Sequence, residues 1–225
     1  MELKNVVPWG RSFEEYQEIF SLTKSDLEKA ILGCGDGPAS FNAELSAQGG
    51  KVVSIDPTYQ FSAQELQRRI GEVYDEIMPQ MHLNKDKYLW ESIPSVEALG
   101  SIRMNAMQEF ISDYEQGKQE GRYIDESLPK LSFNDKQFDL ALCSHYLFLY
   151  SEHVSLEEHI ASMQELCRVA KEVRIYPLLS LNGEISPHLN EVISALNNLN
   201  LVTSLVDVKY QFQKGASQML VVKSV

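Results

Sequence analysis

Long apolar runs are missing from this chain of 225 residues. None approaches the roughly 20 residues that a helix needs to cross a bilayer, so no membrane span is expected. The opening residues also lack a basic flank running into an apolar segment, and a cytoplasmic location is expected. Cysteine is scarce: Cys34, Cys143 and Cys167 are odd in number and far apart. That pattern excludes a disulfide framework and offers no paired spacing of the zinc-binding kind. Reduced thiols are expected, Cys34 as a small residue that fits a turn and Cys143 as a buried apolar one. Positive charge is in deficit, with 20 Lys and Arg against 32 Asp and Glu and a net charge of -12. Basic residues stand singly or in pairs such as Arg68-Arg69, so bulk affinity for nucleic-acid phosphate is not expected. Internal repeats and low-complexity tracts are absent. His153 and His159 have no partner at the helical spacing of four, and Glu157-Glu158-His159 reads as a solvated helix face.

What is present is a turn and a distant acid. Ala30-Ile31-Leu32-Gly33-Cys34-Gly35-Asp36-Gly37-Pro38 runs from an apolar strand into three glycines at alternate positions. Lys51-Val52-Val53-Ser54-Ile55-Asp56 is a second strand ending on a carboxylate. Glycines there let the backbone turn sharply and approach a ligand, and the acid can accept from ribose hydroxyls. Pro38 suits the first turn of a helix that ends at Gly49-Gly50, which makes strand, turn, helix and strand a parallel βαβ unit.

Before that unit, Ser12 and Glu15 form a capping-box pattern that opens a leading helix over about 12–27. After it, about sixty residues pass without a strand signal, far beyond the usual connection. Leu66, Ile70, Val73, Tyr74 and Ile77, then Ile102, Met107, Phe110, Ile111 and Tyr114, keep helical spacing on either side of an aromatic turn at Tyr88–Pro94. This predicts a helical insertion over about 60–120 within a single domain, placed to act as a lid. Strands then recur at 122–124, 140–143, 172–177, 201–210 and 218–223, with helices at about 156–170 and 188–199. The last two strands are joined too closely for a helical crossover and should form an antiparallel hairpin. The fold predicted is doubly wound α/β: a Rossmann-like, seven-stranded, mostly parallel sheet with an antiparallel C-terminal strand. Arg174, inside a strand, should pair with an acid or reach the pocket.

Together these residues resemble the class I S-adenosylmethionine-dependent methyltransferases. The resemblance rests on Gly33-Cys34-Gly35-Asp36-Gly37, on Asp56, on Leu131-Ser132-Phe133-Asn134-Asp135-Lys136-Gln137-Phe138-Asp139 before a strand, and on the final hairpin. A nicotinamide-binding fingerprint would need its third glycine at Pro38 and fits less well. The resemblance implies S-adenosylmethionine as cofactor, with Gly33, Cys34, Gly35, Asp36, Gly37, Asp56, Pro57, Asp125, Ser127, Cys143 and Ser144 around it. The glycines would face its amino-acid end, and Asp56 its ribose. One of Asp125, Glu126 and Ser127 would sit near adenine. At Ile31 the family commonly has an acid, for which Asp36 is a candidate substitute.

His145, after the fourth strand, is the candidate catalytic residue, as a general base or a structural hydrogen-bonder. Tyr146 and Tyr150 would be packing residues, or one of them part of the substrate pocket's lining. The acidic surface and the insertion point to methyl transfer onto a small molecule, with neither nucleic acid nor membrane as partner. A non-catalytic cofactor-binding protein is the alternative. The acceptor and the oligomeric state are not legible.

Overall fold

The computed structural model describes residues 9–224; the first eight residues of the expected domain, and its last, lie outside the described residues. Two short helices lead, α1 (Phe13–Ile19) and α2 (Lys24–Leu27). Ser12 and Glu15 close a reciprocal capping box on α1, as their spacing predicts. The expected single helix over 12–27 is instead broken, because Ser21 takes a left-handed φ of 49° and Thr23 caps a new start. β1 (Ala30–Cys34) follows, so Gly33 and Cys34 belong to the strand rather than to the turn. α3 (Phe41–Ala47) begins after Ser40, which leaves Pro38 in the loop and not in the helix's first turn.

β2 (Lys51–Ile55) is followed by α4 (Ala63–Leu83) and α5 (Val96–Gln119), the two arms of the helical insertion. The remaining elements are β3 (Tyr123–Ile124), β4 (Phe138–Ser144), α6 (Leu156–Val169), β5 (Ala170–Tyr176), α7 (Leu189–Asn197), β6 (Leu201–Asp207) and β7 (Gln218–Ser224). One seven-stranded sheet has the order β3-β2-β1-β4-β5-β7-β6. All pairings are parallel except those of β7, which runs antiparallel to both β5 and β6. The order reverses between β1 and β4, the place where open α/β sheets leave a crevice at the carboxyl ends of their strands.

Period-two alternation divides the core. Ile31, Leu140 and Leu142 face one side, packed with Phe13, Tyr16, Phe41 and the insertion. Leu32, Ala141 and Cys143 face the other, under Met163, Leu166 and Val192 of α6 and α7. His159 is fully buried and lies 4.9 Å from His188 between ring centroids, so only Glu157 and Glu158 belong to the solvated face expected of that trio. Arg174 does not reach the crevice: it donates to Glu172 at 2.7 Å and pairs with Asp26 at 3.2 Å, tying β5 to α2.

The insertion is latched at its aromatic turn. Leu89 N donates to Phe212 O at 2.7 Å, Lys214 N to Lys87 O at 3.1 Å, and the Tyr88 and Phe212 rings stack at 4.9 Å. The turn between α4 and α5 is thereby joined to the link between β6 and β7, above the crevice.

Candidate functional site

A cavity of about 420 Å³ opens at the switch point. One end is built by the glycine turn. Gly35 and Gly37 both have left-handed φ, 67° and 50°, where a side chain would be strained. A Cβ on Gly35 would also stand 3.0 Å from Tyr146. Gly33 is constrained differently: a Cβ there would lie 1.8 Å from Asp36 Oδ2. The chain folds back after β1 and lays the Asp36 carboxylate where a Gly33 side chain would stand. By strand alternation this is the face that Ile31 shares, one step nearer the cavity. Ile31 itself is fully buried in the core.

Asp36 is buried and anchored on both oxygens. Tyr16 Oη donates to Oδ1 at 2.7 Å, and Ser54 Oγ donates to Oδ2 at 2.6 Å. Burial pushes its pKa up to about 6, against those two hydrogen bonds, with the nearby Asp56 charge adding to the rise. Tyr59 Oη, donating to Gly37 O at 2.7 Å, holds the turn from the other side.

Asp56 lies at the end of β2 and also lines the cavity. Its Oδ2 accepts from Gly37 N at 2.9 Å, while Oδ1 accepts from Thr58 N at 2.8 Å and Thr58 Oγ1 at 2.6 Å. Oδ1 is saturated, so Oδ2 keeps the spare lone pair and a two-pronged clasp of a diol needs the Thr58 hydroxyl to turn away. Burial raises the Asp56 pKa, opposed by these bonds and aided by the charge of Asp125.

Of the other predicted cofactor residues, Cys34, Pro57, Ser127 and Ser144 line the cavity. Three do not. Gly33 lies beneath Asp36, Asp125 is exposed beyond Asp56, and Cys143 points into the opposite core layer against Cys34. Glu126 reaches the cavity rim, but its carboxylate is taken by Ser132.

His145 marks the border between the two ends. Its φ of 53° is left-handed, a strained state for a residue with a side chain, and its N–H is fixed on Tyr176 O at 2.7 Å. Nδ1 lies 2.8 Å from Ser144 Oγ. Tyr16, which shares this wall, donates to Asp36. In the tautomer whose Nδ1–H donates to Ser144 Oγ, Nε2 keeps its lone pair as an acceptor. Burial, then the charges of Arg11 and Arg103, hold the His145 pKa well below its ordinary value. The imidazole is therefore neutral at neutral pH.

Beyond His145 the chamber is lined by Ile77 and by residues the sequence did not single out, Trp9, Arg11, Leu99, Arg103, Tyr176, Tyr210 and Phe212 among them. They come from the leading segment, both insertion helices, β5 and the β6–β7 link. Helical spacing marks Leu99 and Ile77 as inward-facing, but no local signal singles out Arg103 among the polar residues of α5. Arg103 is fully buried; it pairs with Glu15 and donates to Tyr210 Oη at 3.3 Å, and Tyr210 Oη donates to Glu15 Oε1 at 2.7 Å. Among the described residues no group of His, Cys, Asp and Glu is placed to hold a metal ion, and no helix is long and apolar enough to cross a membrane.

No protein-family model matches the chain. Across 99% of its length it is 29% identical to the uncharacterized protein MJ0045 of Methanocaldococcus jannaschii, spanning 98% of that protein. Among solved structures it is similar to a SAM-dependent methyltransferase from Aquifex aeolicus, at 16% identity and a TM-score of 0.42, over 93% of this chain and 87% of that one. It is also similar to magnesium protoporphyrin IX methyltransferase from Synechocystis with bound SAH, at 12% identity and a TM-score of 0.45, over 95% and 94% of the two chains. The likeness is one of fold.

Proposed function

We propose that this chain is an S-adenosylmethionine-dependent methyltransferase acting on a small molecule. The observation that carries the reading is the joining, in one cavity, of a two-carboxylate glycine cradle and an apolar chamber, with His145 at their border. When bound, the cofactor supplies a methyl group on a sulfonium, open to in-line attack. The residues present fit it. Gly35 and Gly37 keep the cradle clear, Asp36 offers a carboxylate to an ammonium, Asp56 Oδ2 accepts from a ribose hydroxyl, and Ser127 with Leu128 flanks the place for a base. Asp36 stands beside the place left by Ile31, so the missing acid there is no argument for a non-catalytic protein. Proline at position 38 disfavours the nicotinamide alternative.

Alignment and exclusion of water are what such a displacement asks of a protein. The insertion roof and the Tyr88–Phe212 latch exclude water. A neutral His145 that carries its proton on Nδ1, toward Ser144, accepts a hydrogen bond at Nε2 from an O–H or N–H nucleophile and orients its lone pair. Holding a full proton beside Arg11 and Arg103 is disfavoured, so the proton passes on to solvent as the product leaves. Replacing His145 with Gln should lower kcat by roughly a hundredfold or more, with S-adenosylhomocysteine affinity unchanged. Loss of cofactor affinity in step with kcat would assign His145 a structural role instead.

Asp36 supplies a pH test. An acid whose pKa is raised in the free protein ionises only above about 6, and an ammonium ligand favours the ionised form. Affinity for S-adenosylhomocysteine should therefore be flat above about pH 6 and fall as pH drops through it, approaching tenfold per unit. Calorimetry across roughly pH 5 to 8 on the native protein and on Asp36→Asn checks this. The variant should bind weakly at every pH, and a pH-independent native affinity would remove Asp36 from the ammonium's site.

A further inference from the structure

The chamber beyond His145 has an unbalanced charge. Two guanidiniums, Arg11 and Arg103, line it, and one carboxylate, Glu15, acts on both. Arg103 is compensated: burial is outweighed by Glu15 and Tyr210, and its pKa rises. Arg11 is not compensated. Its Nη1 donates to Trp9 O at 2.5 Å; among the described residues its Nε, like that of Arg103, is buried without a hydrogen-bond partner, but Arg11 lacks the carboxylate contact that Arg103 has with Glu15, and burial followed by the Arg103 charge lowers its pKa.

The other acids of the cavity do not answer it. Asp36 is engaged by Tyr16 and Ser54, and Asp56 by Gly37 and Thr58. Neither is among the leading influences on Arg11, which are burial, Arg103, Tyr210, Glu15 and Tyr16. Its own charge is felt at Tyr88, Tyr176 and Tyr210 of the chamber, at His145 on the border, and at Glu15 and Tyr16. A guanidinium with an unpaired buried donor in an apolar wall is costly to keep, and a carboxylate meets its planar fork in two parallel bonds.

We propose that the chamber takes a small monoanionic carboxylic acid with an apolar, ring-sized body, held at its carboxylate by Arg11 and packed on Trp9, Ile77, Leu99 and Phe212. That this acid is the methyl acceptor rests on the methyltransferase reading; that the chamber binds it does not. The charge count selects a carboxylate over a phosphate: two cations and one anion leave a single positive charge, which one carboxylate neutralises and a dianion overshoots. A neutral His145 adds nothing to that count.

The test is calorimetry with matched probes, 4-hydroxybenzoate against 4-hydroxybenzamide and phenylacetate against phenylacetamide, plus inorganic phosphate, each with and without saturating S-adenosylhomocysteine. Each acid should bind at least about tenfold more tightly than its amide, as expected for one charge-assisted bidentate contact. Phosphate should bind more weakly than either acid. Arg11→Gln should abolish the preference and leave S-adenosylhomocysteine affinity unchanged, and Arg11→Lys, which keeps the charge without the fork, should retain part of it. Acids and amides binding alike, neither binding, or phosphate binding best would each overturn the proposal. So would an Arg11→Gln protein that loses S-adenosylhomocysteine affinity but keeps the acid preference, since the guanidinium would then serve the cofactor's own carboxylate. Failure of S-adenosylhomocysteine to bind would instead strike the methyltransferase reading, and the probe pairs without it would still decide this one.

Discussion

Glu15→Leu should destabilise the fold by about 3–5 kcal/mol, the usual cost of stripping one partner from a buried ion pair. Glu15 accepts from Tyr210 and pairs with a fully buried Arg103, so its loss leaves a guanidinium charged in an apolar wall. The pair also joins three distant pieces of chain: α1, α5 and the β6–β7 link. For a domain of this size the cost corresponds to a fall in Tm on the order of 10 °C. The double change Glu15→Leu with Arg103→Met should recover most of it, because well-packed apolar residues replace a buried pair at little net cost. Sign can be checked with acid. Burial pushes the Glu15 carboxyl up, but the Arg103 charge and hydrogen bond outweigh it and hold the pKa at about 2, below the ordinary 4.5. Its stabilising contribution is therefore complete above about pH 4.5 and is lost as pH falls toward 2. A native protein and Glu15→Leu variant with equal Tm at pH 7 would contradict this.

Asp56→Ala should weaken S-adenosylhomocysteine binding by more than about tenfold, the lower end for a charge-assisted bond to a buried carboxylate. Two effects add. The spare lone pair of Oδ2 is lost to the ligand, and the Gly37 N–H loses the acceptor that holds the turn in its left-handed conformation. Asp56→Asn separates them: its side-chain oxygen still accepts from Gly37 N, so turn geometry survives while the charge goes. Calorimetry on both variants measures the split, and unchanged affinity in Asp56→Ala removes Asp56 from the ribose place.

The sheet was legible because its signals are local. Apolar strands, the glycine turn and the short link before β7 lie within a few residues each, and together they define the parallel sheet with its antiparallel strand. The insertion was legible too, since α4 and α5 keep helical spacing over many turns. Breaks were not: Ser21 reverses the backbone without a glycine to announce it, and the helix after the turn starts three residues past Pro38. The cradle end of the cavity could be read because Gly33–Gly37 and Asp56 belong to one βαβ unit. The chamber end could not. Arg11, Arg103 and Tyr210 come from three segments far apart in sequence, brought together by the latch between the aromatic turn and the β6–β7 link and by the Glu15–Arg103–Tyr210 contacts. Cys143, in register with Cys34 on the face toward α6 and α7, stops short of the cavity, which its neighbour Ser144 at the end of β4 lines.

The central claim is that the glycine cradle holds a methyl donor. Titration of the native protein with S-adenosylhomocysteine in a calorimeter, with NAD as the control, tests it most directly. The account predicts saturable one-to-one binding of S-adenosylhomocysteine, weakened by Asp56→Ala, with no heat from NAD. Saturable binding of NAD with none of S-adenosylhomocysteine would contradict it, as would binding of neither.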